Sequence, residues 1–470
     1  MKKRFSSIAW MIIFCLLTLS LVPIGEEVSA ENEENPKWSQ WLQKNAFPIK
    51  KLDSTSKDAY EDLGFLKKVL KGKRIVLLGE SSHGAAEFNS TKVRLIKYLH
   101  EKLGYKVLAF ESGLAETNAS DAQMTTTAPI KMMQDSLYPV WYTQEVSHLF
   151  EYMKKEKKER TPLSLAGIDM QPTGSYAAFL KNWFQTIDSS IGDKAHLLEQ
   201  KYLGLLTLSN TDTFNREQTK MIQEYKELSQ FVQKNKKELA KAYPNSPHMI
   251  RVTQYVLQDR IYSMEHGMKF LVWSNKYVKE NNAELANKYF DQFSEARDEA
   301  MAKHLTWLTE KLYPKQKIIV WAHNLHIRKA NTKAENPYRS SVVTFGQLLP
   351  KKIKDQSYVI GLYMNRGVSA FNNRQPAPVR FPHPKGTMES ILGNSGYKNI
   401  FVDMKNQQKK EGTSWMFTKR AALDWGTWEE QIIPTEQFDG ILFIDKVHMP
   451  KYVSNTISHI PERKLYKRIP

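Results

Sequence analysis

The stretch Arg74-Ile75-Val76-Leu77-Leu78-Gly79-Glu80-Ser81-Ser82-His83-Gly84 decides the fold. Its aliphatic run has no polar alternation, as expected of a strand buried on both faces of a parallel sheet. Gly79 and Gly84 bracket the polar residues that follow, which suits a tight strand-to-helix turn with backbone N–H groups facing outward. Beyond the turn, Phe88, Leu95, Leu99 and Leu103 recur at helical spacing, and Gly104 supplies a stop. Strand, polar turn and helix together make the repeating unit of an α/β fold.

The unit recurs outward from there. Lys106 to Phe110 reads as a second strand ending on Glu111, and Leu163 to Ile168 as a third ending on Asp169. Lys317 to Trp321 leads into Ala322-His323-Asn324-Leu325-His326, Tyr358 to Tyr363 is a further strand, and Gly440 to Ile444 ends on Asp445. Between about residues 195 and 312 no strand interrupts a series of helical stripes. Met221, Tyr225, Leu228 and Val232 mark one, Met249, Val252 and Val256 another, and a third helix runs from about Ala283 to Leu312. The expectation is a mostly parallel sheet flanked by helices, with a large helical insertion.

The first thirty residues read as a leader outside the fold. Lys2, Lys3 and Arg4 precede an apolar run from Ile8 to Leu21, and Val28-Ser29-Ala30 offers small residues for cleavage. The single cysteine, Cys15, lies inside that run. A mature chain of residues 31–470 would therefore have no disulfide, thiolate metal site or cysteine nucleophile. Export from the cell is the expectation. The formal net charge of +18 suits electrostatic association with an anionic cell wall. Basic residues are scattered without a nucleic-acid recognition motif, so nucleic acid is not an expected partner.

In an open α/β sheet, ligands bind beyond the carboxyl ends of the strands. Glu80 with His83, Glu111, Asp169, and His323 with His326 all stand there. A histidine oriented by a carboxylate serves as a general base near neutral pH. A serine nucleophile elbow needs Gly-x-Ser-x-Gly, and Gly79-Glu80-Ser81-Ser82-His83 fails at its last position. The His-Glu-x-x-His zinc helix is also missing, although the same histidines and carboxylates are competent ligands, so a metal-dependent reading stays open.

These motifs together resemble the erythromycin esterase family. The resemblance rests on Gly79 to Gly84 with Glu87, Ala109-Phe110-Glu111, Gly167-Ile168-Asp169, Arg297-Asp298 with Met301, Trp321-Ala322-His323-Asn324-Leu325-His326, and Phe438-Asp439-Gly440. It implies hydrolysis of a carboxylic ester or lactone by activated water, without a covalent serine intermediate and without a cofactor. By that resemblance His83 is the general base, Glu80 orients it, and Glu111 and His323 hold the water. His326, with Arg94 or Arg297, would stabilise the oxyanion, and Asp169 would support the substrate side. Two departures stand out. The resistance enzymes are cytoplasmic, whereas this chain has a leader, and the sequence after Arg366 has no feature that points to macrolides. Trp415, Phe417, Trp425 and Trp428 are read either as an apolar wall for a large substrate or as packing residues. The competing functional readings are a metal-dependent hydrolase and an envelope-binding protein without catalysis.

Overall fold

The computed structural model describes residues 35–53, 58–336, 342–454 and 456. The leader read over residues 1–30 lies outside them. Among the described residues there are eleven strands: β1 (Phe47–Pro48), β2 (Ile75–Leu78), β3 (Tyr105–Gly113), β4 (Ser164–Asp169), β5 (Lys317–Trp321), β6 (Ser357–Ala370), β7 (Pro376–Pro378), β8 (Asn399–Asp403), β9 (Arg420–Asp424), β10 (Trp428–Ile432) and β11 (Gly440–Val447). The main sheet runs β1-β8-β11-β6-β2-β5-β3-β4, with β7 paired to β6. From β11 to β4 every neighbouring pair is parallel, while β8 and β1 close one edge antiparallel.

The aliphatic strands behave as their composition requires. Ile75 and Leu77 of β2 join one hydrophobic cluster, and Val76 and Leu78 join another on the opposite face. One face is covered by the Ala86–Leu103 and Gln144–Lys158 helices, the other by a helical block. That block is longer than expected. Its first helix is Ser175–Phe184, and no strand interrupts the described residues from there to Lys317. Met221, Tyr225, Leu228 and Val232 all point inward from the Thr211–Lys234 helix, as their spacing implied.

Cross-strand register sets the active edge. Leu78 pairs with Trp321, Trp321 with Phe110, and Phe110 with Gly167, so these four residues form one row across β2, β5, β3 and β4. Glu80, His323 and Asp169 each lie two residues past that row, and Glu111 lies one past it. The β3–β4 register slips between Phe110 and Gly113, which pair with Gly167 and Asp169. One extra residue in β3 is a bulge, and it re-aims the carboxylate of Glu111.

The turn after β2 differs from its expectation in one respect. Gly79 N–H donates to Ile360 O at 2.8 Å and Ser81 N–H to Leu362 O at 3.1 Å, so these donors extend the pairing with β6 and do not face outward. Glycine is needed at 79 for proximity: a Cβ there would lie 2.0 Å from Asn324 Oδ1. That Asn324 side chain bonds the Leu362 backbone in both directions and locks the loop after β5 against β6.

Candidate active site

Two chains of polar side chains meet at this edge. In the first, His83 Nδ1 lies 2.6 Å from Glu80 Oε1, which also accepts from Trp141 Nε1 at 3.1 Å. Glu80 Oε2 accepts from Lys92 Nζ at 2.8 Å. Burial alone would raise the Glu80 pKa, but Lys92 and His83 outweigh it and hold Glu80 below its ordinary value. Burial pushes Lys92 down to about 8 despite the attraction of Glu80. A carboxylate facing Nδ1 fixes the proton there, so in the neutral ring Nε2 is the nitrogen left to accept.

The second chain centres on Glu111. Its Oε1 lies 3.2 Å from His326 Nε2 and 2.8 Å from Arg297 Nη2, and its Oε2 accepts the backbone N–H of His323 at 2.8 Å. Burial by itself would raise Glu111, yet His326 and Arg297 keep it well below the usual carboxylate range. His326 Nδ1 in turn bonds Asp298 Oδ1 at 2.8 Å. Burial opposes its charge, but Asp298 and Glu111 raise it to about 9, so it is an imidazolium at neutral pH. Both of its nitrogens then donate to carboxylates. The 3.4 Å approach of Arg297 Nη1 to His326 Nε2 is consequently a contact between two donors and no hydrogen bond. Arg297 Nε donates to Asp169 Oδ2 at 2.8 Å.

His323 joins the two chains. Its ring centroid is 5.1 Å from that of His83, and its Nδ1 accepts the Leu325 backbone N–H at 3.2 Å. Burial, then the neighbouring His83, depress its pKa well below 6.5. A neutral ring with an accepting Nδ1 must carry its proton on Nε2. That buried Nε2–H has no hydrogen-bond partner among the described residues and lies 3.6 Å from Asp424 Oδ1. It is a spare donor on a ring that stands beside the ring of His83.

Glu80, His83, Glu111, Asp169, Arg297, His323 and His326 are thus brought together. Arg94 is not, which corrects its expected role at the oxyanion. Its guanidinium bonds Asp58, Asp62 and the Lys51 carbonyl, and so ties the N-terminal segment to the Ala86–Leu103 helix. Lys92, two residues earlier on that helix, is the cation that reaches the site. Sequence reading also missed Trp141, Asp298 as the partner of His326, Asp424 and the placement of Trp425. Lys92 did leave a signal, since it interrupts the apolar stripe of Phe88, Leu95 and Leu99 at helical spacing. Trp415 is fully buried and Phe417 packs on the core, so both are packing residues. Among the described residues, no three His, Cys, Asp or Glu side chains are arranged to hold a metal ion.

The chain is similar in sequence and in fold to known proteins. The sequence profile of the erythromycin esterase family matches residues 100–447. YbfO of Bacillus subtilis, which carries the name of a hydrolase, is 40% identical over 445 residues, covering 93% of this chain and 96% of YbfO. Erythromycin esterase type II of Escherichia coli is 23% identical, covering 79% of this chain and 89% of that protein. A crystal structure titled as a succinoglycan biosynthesis protein shares the fold with a TM-score of 0.67 at 18% identity, covering 89% of this chain and 98% of the other. A mutant of the erythromycin esterase EreC in its open conformation has a TM-score of 0.58 at 17% identity, covering 87% and 99%. By its motifs, its fold and the profile match across most of its length, the chain belongs to the erythromycin esterase family.

Proposed function

We propose that this protein is an exported hydrolase that opens carboxylic esters or lactones with water activated by His83. Hydrolase chemistry follows from the family; the substrate bond and the mechanism are our reading of the site. The observation that carries it is His83, its Nδ1 held by Glu80 at 2.6 Å, beside His323 with an Nε2 unpartnered among the described residues, their rings 5.1 Å apart.

In this reading a water molecule loses its proton to His83 Nε2 as its oxygen attacks the carbonyl carbon. Glu80 stabilises the imidazolium that forms, and Lys92 keeps Glu80 ionised. The carbonyl oxygen becomes an oxyanion and accepts from His323 Nε2–H, a donor already in place before reaction. On collapse of the tetrahedral intermediate, the leaving alkoxide takes the proton from His83. His326 and Arg297 were expected to meet the oxyanion directly. Their hydrogen bonds go to Asp298, Glu111 and Asp169, and these fix Glu111, which in turn fixes the His323 backbone.

The deciding experiment is hydrolysis of an ester and lactone panel, erythromycin included, by the protein and its His83→Ala variant, with and without chelator. Activity that falls about 10²- to 10⁴-fold in the variant and survives chelator supports the proposal. Activity abolished by chelator would transfer the same residues to a metal-dependent mechanism. A variant as active as the parent would remove His83 from the chemistry.

A further inference from the structure

The β9–β10 hairpin carries a tryptophan where its turn would favour a different residue. Trp425 and Gly426 are the two central residues of the turn, with φ of +57° and +72°, and Thr427 N–H closes it onto Asp424 O at 3.1 Å. A turn with both central positions left-handed is most relaxed with Asn, Asp or Gly first, and bulky side chains rarely adopt that conformation. The turn is also pinned, because Trp425 N–H donates to Ser81 O at 2.7 Å. Non-glycine residues held in this region cluster at functional sites.

The strained residue places its ring against the catalytic pair. Its centroid lies 5.5 Å from His83, nearly perpendicular, and 5.5 Å from His323 at an interplanar angle of 26°. From there the aromatic surface continues outward. Phe371 follows at 6.0 Å from Trp425, and Trp428 stacks on Phe371 at 5.5 Å and 25°. All three are half-buried. The nearby rim charges Arg380 and Glu429 are paired with each other, and Asp424 faces His323. Flat aromatic faces set in series suit a flat apolar ring, which meets them over its whole face.

We infer that Trp425, Phe371 and Trp428 form the substrate-recognition subsite and take a flat apolar ring attached next to the scissile ester bond. This inference rests on the hydrolase reading above and adds the class of substrate. The test uses two pairs of esters: ethyl 2-naphthoate against ethyl cyclohexanecarboxylate, and 2-naphthyl acetate against cyclohexyl acetate. The ratio of kcat/KM within each pair is measured for the parent protein and for Trp425→Leu, Trp428→Leu and Phe371→Leu, with circular dichroism as the check on folding. The ratio should fall about tenfold in the variants for at least one pair, mainly through KM. Equal slowing of both members of each pair would reduce Trp425 to a prop for the histidines and overturn the inference.

If the parent hydrolyses none of these esters, the catalytic reading fails and calorimetry decides the subsite separately. Binding of 2-naphthoate about tenfold more tightly than cyclohexanecarboxylate, lost in Trp428→Leu, supports the subsite. Equal affinity, or binding of neither, overturns it. Should every variant misfold, the tenfold preference of the parent protein, present or absent, decides by itself.

Discussion

Lys92 Nζ donates to Glu80 Oε2 at 2.8 Å with both side chains shut off from solvent. The ammonium also lies 4.2 Å from the Trp321 ring centroid. Above a pH of about 8 it gives up its proton, and Glu80 then loses a cation partner. The rate of hydrolysis should therefore fall on an alkaline limb near that pH. Lys92→Arg, which stays charged, should shift the limb upward in a kcat/KM–pH profile. The limb is not a loss of fold through Lys92. Between about 8 and the ordinary 10.5 the unfolded chain holds a proton that the folded chain has released, so the Lys92 contribution to stability rises with pH there. An alkaline limb unmoved in Lys92→Arg would place the titrating group elsewhere.

His326 should show the opposite linkage. Its pKa is raised from 6.5 to about 9, so its charge stabilises the fold fully below 6.5 and that contribution is lost as pH rises through 9. The shift corresponds to roughly 3 kcal/mol. Denaturant unfolding of the parent and of His326→Gln should then differ by more at pH 6 than at pH 9.5. A destabilisation independent of pH would mean that the ring is held neutral.

His323 acts through a single N–H in the proposed mechanism. His323→Gln keeps an amide donor at the end of its side chain, whereas His323→Leu has none. Leu should lower kcat by about 10²- to 10³-fold with little change in KM, and Gln by clearly less. Steady-state kinetics of the two variants on one ester measure this, and equal losses would remove the oxyanion role.

The sequence made the central sheet legible because β2, β3, β4 and β5 are buried on both faces, and that leaves unbroken aliphatic runs. Strands with one wetter face were harder to see. β6 extends to Ala370, but past Met364 its burial alternates, and only Tyr358 to Tyr363 stood out as a strand. β9 and β10 carry charged residues among apolar ones, as in Trp428-Glu429-Glu430-Gln431-Ile432, and were unrecognised. The site was legible where residues follow strands directly, because register alone brings Glu80, Glu111, Asp169 and His323 to one level. It was not legible for Lys92, Trp141 and Asp424, which come from a flanking helix, a short helical turn and a hairpin strand. Asp424 and Trp425 reach the histidines through tertiary packing with no spacing rule behind it.

Arg94 and Arg297 illustrate the same limit, and they make opposite predictions. Both are cations between two carboxylates: Arg94 between Asp58 and Asp62, Arg297 between Asp169 and Glu111. Only the second pair belongs to the candidate active site. Removing either charge leaves buried carboxylates uncompensated, which costs about 3–5 kcal/mol. Arg94→Gln should therefore lower the unfolding midpoint while kcat/KM of the folded protein stays within about twofold of the parent. Arg297→Gln should lower both, because Glu111 then loses one of the two cations that orient it beneath His323. Unfolding curves and initial rates on the same preparations separate the two effects. An Arg94→Gln protein that is folded and stable yet slow would return Arg94 to the catalytic machinery, against the geometry that places it on the N-terminal segment.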